Sequence, residues 1–511
     1  MSQVDTLSSA VRLGLLLEGL ADVRAENDIE VTSLSLDSRN VGKGGLFLAC
    51  SGSRRHGLSF LSQALENGAA AVIWEPDENW TVDSLHSLSI PTSIVMLPLA
   101  DLGARVSRIA SRFYRNPSQG MLLIGITGTN GKTSCTQYIA QAMAPTRRCG
   151  TIGTLGIGFP GALTEGTHTT PDPVALQSAL ADFKRAGADA VAMEVSSHAL
   201  DQGRVAALGF DVAVFTNLSR DHLDYHGSFS AYGKAKKRLF QMPGVKAWVV
   251  NLDDAFGQAL LADVPSDVMT IGYGQGADRG YCERVTHSVW ANKVQSDDSG
   301  MRIDLQTSWG EGQINTGLLG RFNVSNLLAV VAVLQQQGIA LADALERLAG
   351  LTTVAGRMER FGGREQPLVI VDYAHTPDAL AHVLGASRAH TRARLFCVFG
   401  CGGDRDTGKR PEMAAISEAL ADRVIVTDDN PRSEDGDSIV ANILSGMKTP
   451  GQVRVERDRA KAIRLAVREA AAGDVVLVAG KGHENYQLVG ETRLPFDDRV
   501  QVRLALAERA R

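Results

Sequence analysis

Lys132 stands second to last in the stretch Thr127-Gly128-Thr129-Asn130-Gly131-Lys132-Thr133, which follows directly on the apolar run Leu122 to Ile126. A Gly-rich turn between a strand and a helix cradles phosphate, because backbone N–H groups point into the turn and the helix dipole favours an anion. The Lys neutralises phosphate oxygens and the Thr hydroxyl can reach Mg²⁺. The strict loop pattern wants its first glycine at position 126, where this chain has Ile126, so Gly128 and Gly131 supply the backbone freedom. Nucleotide phosphate binding is the expected chemistry. Glu194, in Glu194-Val195-Ser196-Ser197-His198, and His222, in Asp221-His222-Leu223-Asp224-Tyr225-His226, each follow an apolar run. A carboxylate and an imidazole beside a phosphate loop read as Mg²⁺ ligands; since Mg²⁺ prefers oxygen, His222 reads equally as an outer or structural group.

These residues need elements to hold them. Leu122–Ile126, Ala190–Met193 and Val212–Phe215 read as buried strands of an open parallel sheet, which puts its ligands at the carboxyl ends of its strands. Cys135 to Met143 reads as the helix after the phosphate loop, and Tyr232 to Phe240 as a basic helix whose Lys234, Lys236 and Lys237 suit a solvated face. The loop from Thr167 to Pro173 is rich in hydroxyls. Asn323 and Asn326 lie one turn apart at a helix start, where one suits a cap and the other a ligand. Beyond residue 353, four apolar runs each deliver a polar or Gly-rich loop: Asp372-Tyr373-Ala374-His375, Gly400 to Asp406, Asp429-Asn430-Pro431-Arg432, and Gly480-Lys481-Gly482-His483-Glu484. This reads as a Rossmann-like sheet, although Gly400, Gly402 and Gly403 do not spell a dinucleotide fingerprint. A smaller α/β segment precedes residue 104, with strands around Leu34–Leu36, Leu46–Ala49 and Ala69–Ile73. Its Ser53-Arg54-Arg55 loop suits either a phosphate or solvent.

The fold class is therefore α/β in three domains: 1–103, 104–352 with the phosphate loop and a mainly parallel sheet, and 353–511. At 511 residues each can bury a core. A net charge of -5 gives no electrostatic footprint for nucleic acid or an acidic membrane. No apolar run reaches the roughly 18 residues of a spanning helix, and the N-terminus has no signal-peptide pattern, so a cytoplasmic protein is expected. Six scattered cysteines read as reduced structural thiols.

TGTNGKT, EVSSHAL, TNLSRDHLDYHG, GRFNVSN, GRMER, DYAHTPD, DNPR and GKGHE, in this order, closely resemble the Mur ligases. The resemblance implies an ATP-dependent amide ligase of peptidoglycan precursor synthesis, and within the family the step that joins meso-diaminopimelate to UDP-N-acetylmuramoyl-L-alanyl-D-glutamate. It implies ATP on Thr127 to Thr133, with Asn323, Arg357 and Asp372; Mg²⁺ on Thr133, Glu194 and His222; and Lys236 carried as a carbamate that joins the metal. It implies the UDP-muramoyl-dipeptide on Leu36, Ser38, Ser53, Arg54, Arg55, Thr169, Thr170, Ser196, Gln202 and Arg204. It implies diaminopimelate on Arg405, Asn430, Pro431, Arg432, Gly480 and Glu484. Lys132, Lys236, Glu194 and His222 would carry the catalysis. The partners are small molecules, with no nucleic acid or membrane insertion, and the protein is expected as a monomer. A folylpolyglutamate synthase shares the ATP chemistry with another acceptor, and a nucleotide-hydrolysing switch shares the phosphate loop alone. His375 could serve as the base for the incoming amine or be structural.

Overall fold

The apolar runs become strands buried on both faces, as parallel sheets covered by helices require. The structure, a computed structural model, describes residues 10–52, 55–86, 88, 90–166, 168–276, 280–297, 299–391 and 393–509. It divides into two compact units: Met1–Lys132 with Met143–Trp248 and Asp263–Met269, and Thr133–Ala142 with Val249–Ala262 and Thr270–Arg511.

The first unit opens with a four-stranded parallel sheet in the order Leu34–Ser35, Gly45–Ala49, Ala69–Trp74, Val95–Pro98. The alternation around Leu36 yields a strand of only two residues, because the Asp37 side chain accepts from the Arg39 N–H and starts a 3₁₀ turn. In its second sheet the strand Leu122–Thr127 lies between Ala190–Glu194 and Val212–Phe215, parallel to both, and Cys149–Gly153 lies beyond Ala190–Glu194. Glu194 and Val214 both stand opposite Ile126, so this register brings the phosphate loop, Glu194 and Thr216-Asn217 to one sheet edge. The helix after the loop is Lys132–Met143, longer at its start than the apolar pattern implies. The basic helix is Phe229–Lys237, displaced toward the N-terminus because the Ser228 hydroxyl accepts from the Ala231 N–H and caps it.

The second unit contains an antiparallel meander, His287–Asp297, Gly300–Thr307 and Gly310–Thr316, and the helix Phe322–Gln336, buried from Asn326 to Gln335. Its last sheet runs in the order Glu359–Gly362, Leu368–Asp372, Val475–Ala479, Leu395–Phe399, Arg423–Val426, Arg454–Val455, all parallel except the first. Leu380, Leu384, Met413, Ile439 and Ile443 from three helices cover one face, and Ile463, Ala466, Val502 and Ala505 from two helices cover the other. Each fully buried aliphatic side chain stabilises by roughly 1.5–3 kcal/mol. This doubly wound arrangement delivers the loops at 372–377, 400–405, 427–432 and 480–484 to one edge. Among the described residues, no helix is long and apolar enough to cross a membrane.

Candidate active site

The phosphate loop is braced by the segment after its neighbouring strand. The Thr129 N–H donates to the Asn217 carbonyl at 2.8 Å, the Asn130 N–H to Asn217 Oδ1 at 2.9 Å, and Thr216 Oγ1 to the Asn130 carbonyl at 2.6 Å. Thr129 Oγ1 accepts from the Ser219 N–H at 3.0 Å and lies 3.2 Å from the Tyr232 hydroxyl. Gly128, at φ 147°, passes so close to Thr216 Oγ1 that a Cβ there would collide with it. Lys132 Nζ donates to the carbonyls of Gly128 and Thr129, both at 2.9 Å. Thr127 is buried and Thr133 nearly so, while Gly131 takes φ 85°.

Lys236 is 1% exposed and comes from the helix Phe229–Lys237, so it leaves the solvated face expected for its neighbours. Its Nζ donates to the Gly128 carbonyl at 2.8 Å and lies 4.3 Å from the Tyr232 ring centroid. Burial first, and the nearby Lys132 cation second, hold its ammonium well below the ordinary lysine range.

Glu194 is 1% exposed. Its Oε1 accepts from the Thr154 N–H at 2.8 Å and its Oε2 from Thr154 Oγ1 at 3.2 Å. A Cβ at Gly153 would strike the same carboxylate, so glycine is what admits Glu194 here. Thr154 Oγ1 also meets Thr169 Oγ1 at 3.0 Å, and Thr170 Oγ1 donates to the Glu194 carbonyl at 2.8 Å while accepting from the Ser196 N–H at 3.0 Å. Arg204 donates to the Thr170 carbonyl at 2.7 Å and, through Nε, to Gln202 Oε1 at 2.9 Å. Leu36, His168, Gln202 and Arg204 line one cavity of about 220 Å³. Five predicted substrate residues thus share one network with Glu194: Thr169, Thr170, Ser196, Gln202 and Arg204. Leu36 joins two of them across the cavity. Ser38 instead donates to Gln63 Oε1 at 2.7 Å, and Arg55 is exposed. Ser53, Arg54 and Thr167 lie outside the described residues.

His222 adopts φ 51° and starts the short helix Leu223–His226. Its ring lies 4.8 Å from that of His198 and 6.1 Å from that of Tyr232, and its Nε2 is 3.4 Å from Asp221 Oδ2. Among the described residues, no group of three His, Cys, Asp or Glu side chains is arranged to hold a metal ion. The donor chemistry nonetheless fits Mg²⁺, which takes one or two carboxylates and draws its other oxygens from water and phosphate. Glu194 would supply such an oxygen, and a carbamate on Lys236 would supply another.

In the second unit, Asn323 Nδ2 donates to the Leu319 carbonyl at 2.7 Å and Asn326 Nδ2 to Asn323 Oδ1 at 2.9 Å. Neither Asn caps the helix: Arg321 holds the cap position, and both amides are spent in a buried chain that also reaches the Tyr138 hydroxyl. Asp372 is buried, accepting from the Ala374 and Met358 N–H groups at 2.8 Å each; burial raises its pKa, with Arg357 opposing. Arg357 stacks 4.8 Å from the Tyr373 ring centroid. His375 Nδ1 meets the Tyr373 carbonyl at 2.8 Å, an orientation that makes Nδ1 the donor and Nε2 the basic nitrogen.

The loops 402–405 and 430–434 are zipped together. Arg432 Nη1 donates to the Gly403 carbonyl at 2.7 Å, the Gly403 N–H to the Asn430 carbonyl at 2.9 Å, and Ser433 Oγ to Asp404 Oδ1 at 2.6 Å. Arg432 has φ 51°, and the hairpin Tyr486–Val489/Thr492–Pro495 grips its backbone: its N–H donates to the Leu488 carbonyl at 3.1 Å and its carbonyl accepts from the Gly490 N–H at 2.8 Å. Pro431 is buried between these contacts. Asn430 Nδ2 donates to Glu484 Oε2 at 3.1 Å. Gly480, at φ 120°, lies against the Asp429 carboxylate. Arg405 is exposed, and its Nη1 donates to the Asp404 carbonyl at 3.3 Å. Asn217 and Thr154 were invisible as site residues, since each acts through a partner distant in sequence. The buried Lys481 had a visible signal: a lysine between two glycines at a strand end.

Three family models match the chain: "Mur ligase family, catalytic domain" over residues 30–114, "Mur ligase middle domain" over 126–334, and "Mur ligase, glutamate ligase domain" over 356–482. The chain is 52% identical, over 94% of its length and 96% of the relative's, to the UDP-N-acetylmuramoyl-L-alanyl-D-glutamate--2,6-diaminopimelate ligase of Ectopseudomonas mendocina. It is 51% identical to the protein of the same name from Pseudomonas aeruginosa, over 95% of this chain and 96% of that one. A solved structure, again of a UDP-N-acetylmuramoyl-L-alanyl-D-glutamate--2,6-diaminopimelate ligase, superposes with a TM-score of 0.71 at 35% identity, covering 98% of this chain and 100% of the other. With a phosphate loop at a strand–helix junction, three family models in order along the chain and full-length relatives at half identity, this chain belongs to the Mur ligase family.

Proposed function

We propose that this protein is the ATP-dependent ligase that joins meso-2,6-diaminopimelate to UDP-N-acetylmuramoyl-L-alanyl-D-glutamate in peptidoglycan precursor synthesis. The observation that carries the reading is the pair of relatives above, alike over nearly the whole chain and bearing that name. The segments 1–103, 104–352 and 353–511 would serve the uridine nucleotide, ATP and the amino acid in turn.

The D-glutamyl γ-carboxylate attacks the γ-phosphorus of ATP, giving an acyl phosphate and ADP. The diaminopimelate amine then attacks the acyl carbon, loses a proton, and phosphate departs. Such transfers depend on positioning and charge neutralisation. Lys132 would turn from its carbonyls to the β/γ-phosphates, Thr133, Glu194 and His222 would hold Mg²⁺, and that ion would supply charge neutralisation at the phosphates. Lys236 would carry a carbamate: its buried amine, held below the ordinary lysine range, adds to the CO₂ carbon as one C=O π bond opens onto oxygen, the nitrogen loses a proton to solvent, and the product is an oxygen anion. Asn323, Arg357 and Asp372 serve ATP. Leu36, Ser38, Thr169, Thr170, Ser196, Gln202 and Arg204 serve the muramoyl dipeptide. Arg405, Asn430, Arg432, Gly480 and Glu484 serve diaminopimelate. The protein works as a cytoplasmic monomer, where ATP and the nucleotide precursor are found.

The test is ADP release against a panel of UDP-muramoyl peptides and amino acids. ADP should appear only with ATP, the dipeptide precursor and diaminopimelate together. Release without an amino acid would favour a nucleotide-hydrolysing switch, and turnover with a folate acceptor would favour the synthase.

A further inference from the structure

Asp429 and Glu484 bring two carboxylates to the loop edge of the last sheet, and Lys481 stands between them with 0% of its side chain exposed. Its Nζ donates to Asn430 Oδ1 at 3.0 Å and to Glu484 Oε2 at 3.1 Å, and lies 3.6 Å from Asp429 Oδ1. Asn430 Nδ2 donates to the same Glu484 Oε2, and Asn430 Oδ1 also accepts from the Leu488 N–H at 2.9 Å. Two donors therefore fix one oxygen of Glu484, while Oε1 accepts no hydrogen bond among the described residues. Two carboxylates against one ammonium, with the neighbouring Arg459 balanced by its own partner Asp498, leave the cluster one negative charge. A single further ammonium is its complement, and a charge-assisted bond to the open Glu484 oxygen is the way to hold it. A buried charge is retained at a cost unless its partners match it.

We propose that Lys481 is a positioning residue for amino-acid selection. It fixes Glu484 and Asn430 so that one carboxylate oxygen faces the distal ammonium of the incoming amino acid. This rests on the reading that diaminopimelate is the substrate and that Glu484 meets its distal ammonium.

The probe is 2-aminopimelate, which keeps the distal carboxylate of diaminopimelate and lacks the distal ammonium. Wild type should prefer diaminopimelate in kcat/KM. In Lys481→Met, KM for diaminopimelate should rise about 30-fold, the low end for breaking a buried charged pair. KM for 2-aminopimelate, ATP and the dipeptide precursor should stay within about threefold, as for a change with no partner to lose. In a Glu484→Gln background, Lys481→Met should add less than about threefold, because the group through which Lys481 acts is gone. Lys481→Gln, which keeps a donor without the charge, is read on the same scale if circular dichroism shows Lys481→Met unfolded. Equal rises in KM for both amino acids, or full additivity with Glu484→Gln, overturns the proposal. A wild type indifferent to the distal ammonium refutes the Glu484 reading beneath it, whereas a preference retained in Lys481→Met refutes the role of Lys481 alone.

Discussion

Lys132 and Lys236 donate to the same carbonyl, that of Gly128, at 2.9 and 2.8 Å. Two ammonium groups on one acceptor repel, and the more deeply buried one is the one to lose its proton. On the proposed function, Lys236 would then be the amine available to CO₂. Lys236→Ala should lose ligation by at least about a hundredfold, the scale of removing a group that steadies transition-state charge, and added short-chain carboxylic acids should restore part of it by filling the vacated space. Lys237→Ala, which loses only an exposed pair with Asp263, should stay near wild type. Steady-state rates with and without added carboxylate check this, and an unrescued Lys236→Ala would count against the carbamate. On the proposed function Arg432 meets the distal carboxylate of diaminopimelate, so lysine in place of diaminopimelate would leave a partly buried guanidinium without that partner. The cost should be about 2–5 kcal/mol in discrimination. Arg432→Ala should erase most of that preference in kcat/KM, and an Arg432→Ala enzyme as selective as wild type would remove Arg432 from the selection. Thr127 to Thr133 could be read from the sequence because a phosphate loop is built from neighbouring residues. Thr154 on Glu194 and Asn217 on Asn130 could not, because strand register alone brings them together.

At the scale of elements, the alternation of strand and polar loop was legible around the phosphate loop and beyond residue 353, whereas the meander from His287 to Thr316 and the helix starts were not. The Ser228 cap moved the basic helix, and the Asn323–Asn326 pair turned inward, because capping depends on backbone angles that side-chain periodicity does not report. His390 shows what such hidden contacts do. It is 4% exposed, donates through Nδ1 to the Asp297 carbonyl at 2.6 Å, and accepts from the Gly320 N–H through Nε2 at 2.9 Å. It thereby ties the helix Pro377–Arg388 to the turn before Asn323 and to the meander. Only the neutral imidazole can make both bonds, and burial lowers its pKa, partly offset by the bond to Asp297. A depressed folded pKa means stability is fully present above the unfolded value of about 6.5 and is lost as pH falls below it, by up to about 1.4 kcal/mol per pH unit until the folded pKa is reached. Urea unfolding from pH 8 to pH 5 should give wild type a steeper loss than His390→Gln, and parallel slopes would show that His390 does not contribute.

Across the whole molecule, some charges that never meet solvent do structural rather than catalytic work. Arg459 and Asp498, both 0% exposed, form a bidentate pair at 2.7 Å on each arm, and Arg459 also donates to the Ala479 carbonyl at 2.9 Å. This joins the last two long helices to the end of the strand Val475–Ala479. Arg459→Met should cost about 3–5 kcal/mol by leaving Asp498 buried and unpaired, and Arg459→Met with Asp498→Leu should recover most of it. Chemical denaturation of the single and double variants checks this; a double variant no better than the single would show that the pair is needed for more than its charge balance.

The strand order of the last sheet reaches beyond the finished fold. Val475–Ala479 is the last of its long strands to be synthesised, yet it lies at the centre, between Leu368–Asp372 and Leu395–Phe399. Until the ribosome has released that segment, the two flanking strands each present an open hydrogen-bonding edge and an uncovered apolar face, the condition in which nascent chains stick to one another or recruit a chaperone. The loops on that edge can therefore assemble only after Val475–Ala479 has been synthesised, so a chain truncated before residue 475 should aggregate rather than keep part of its function.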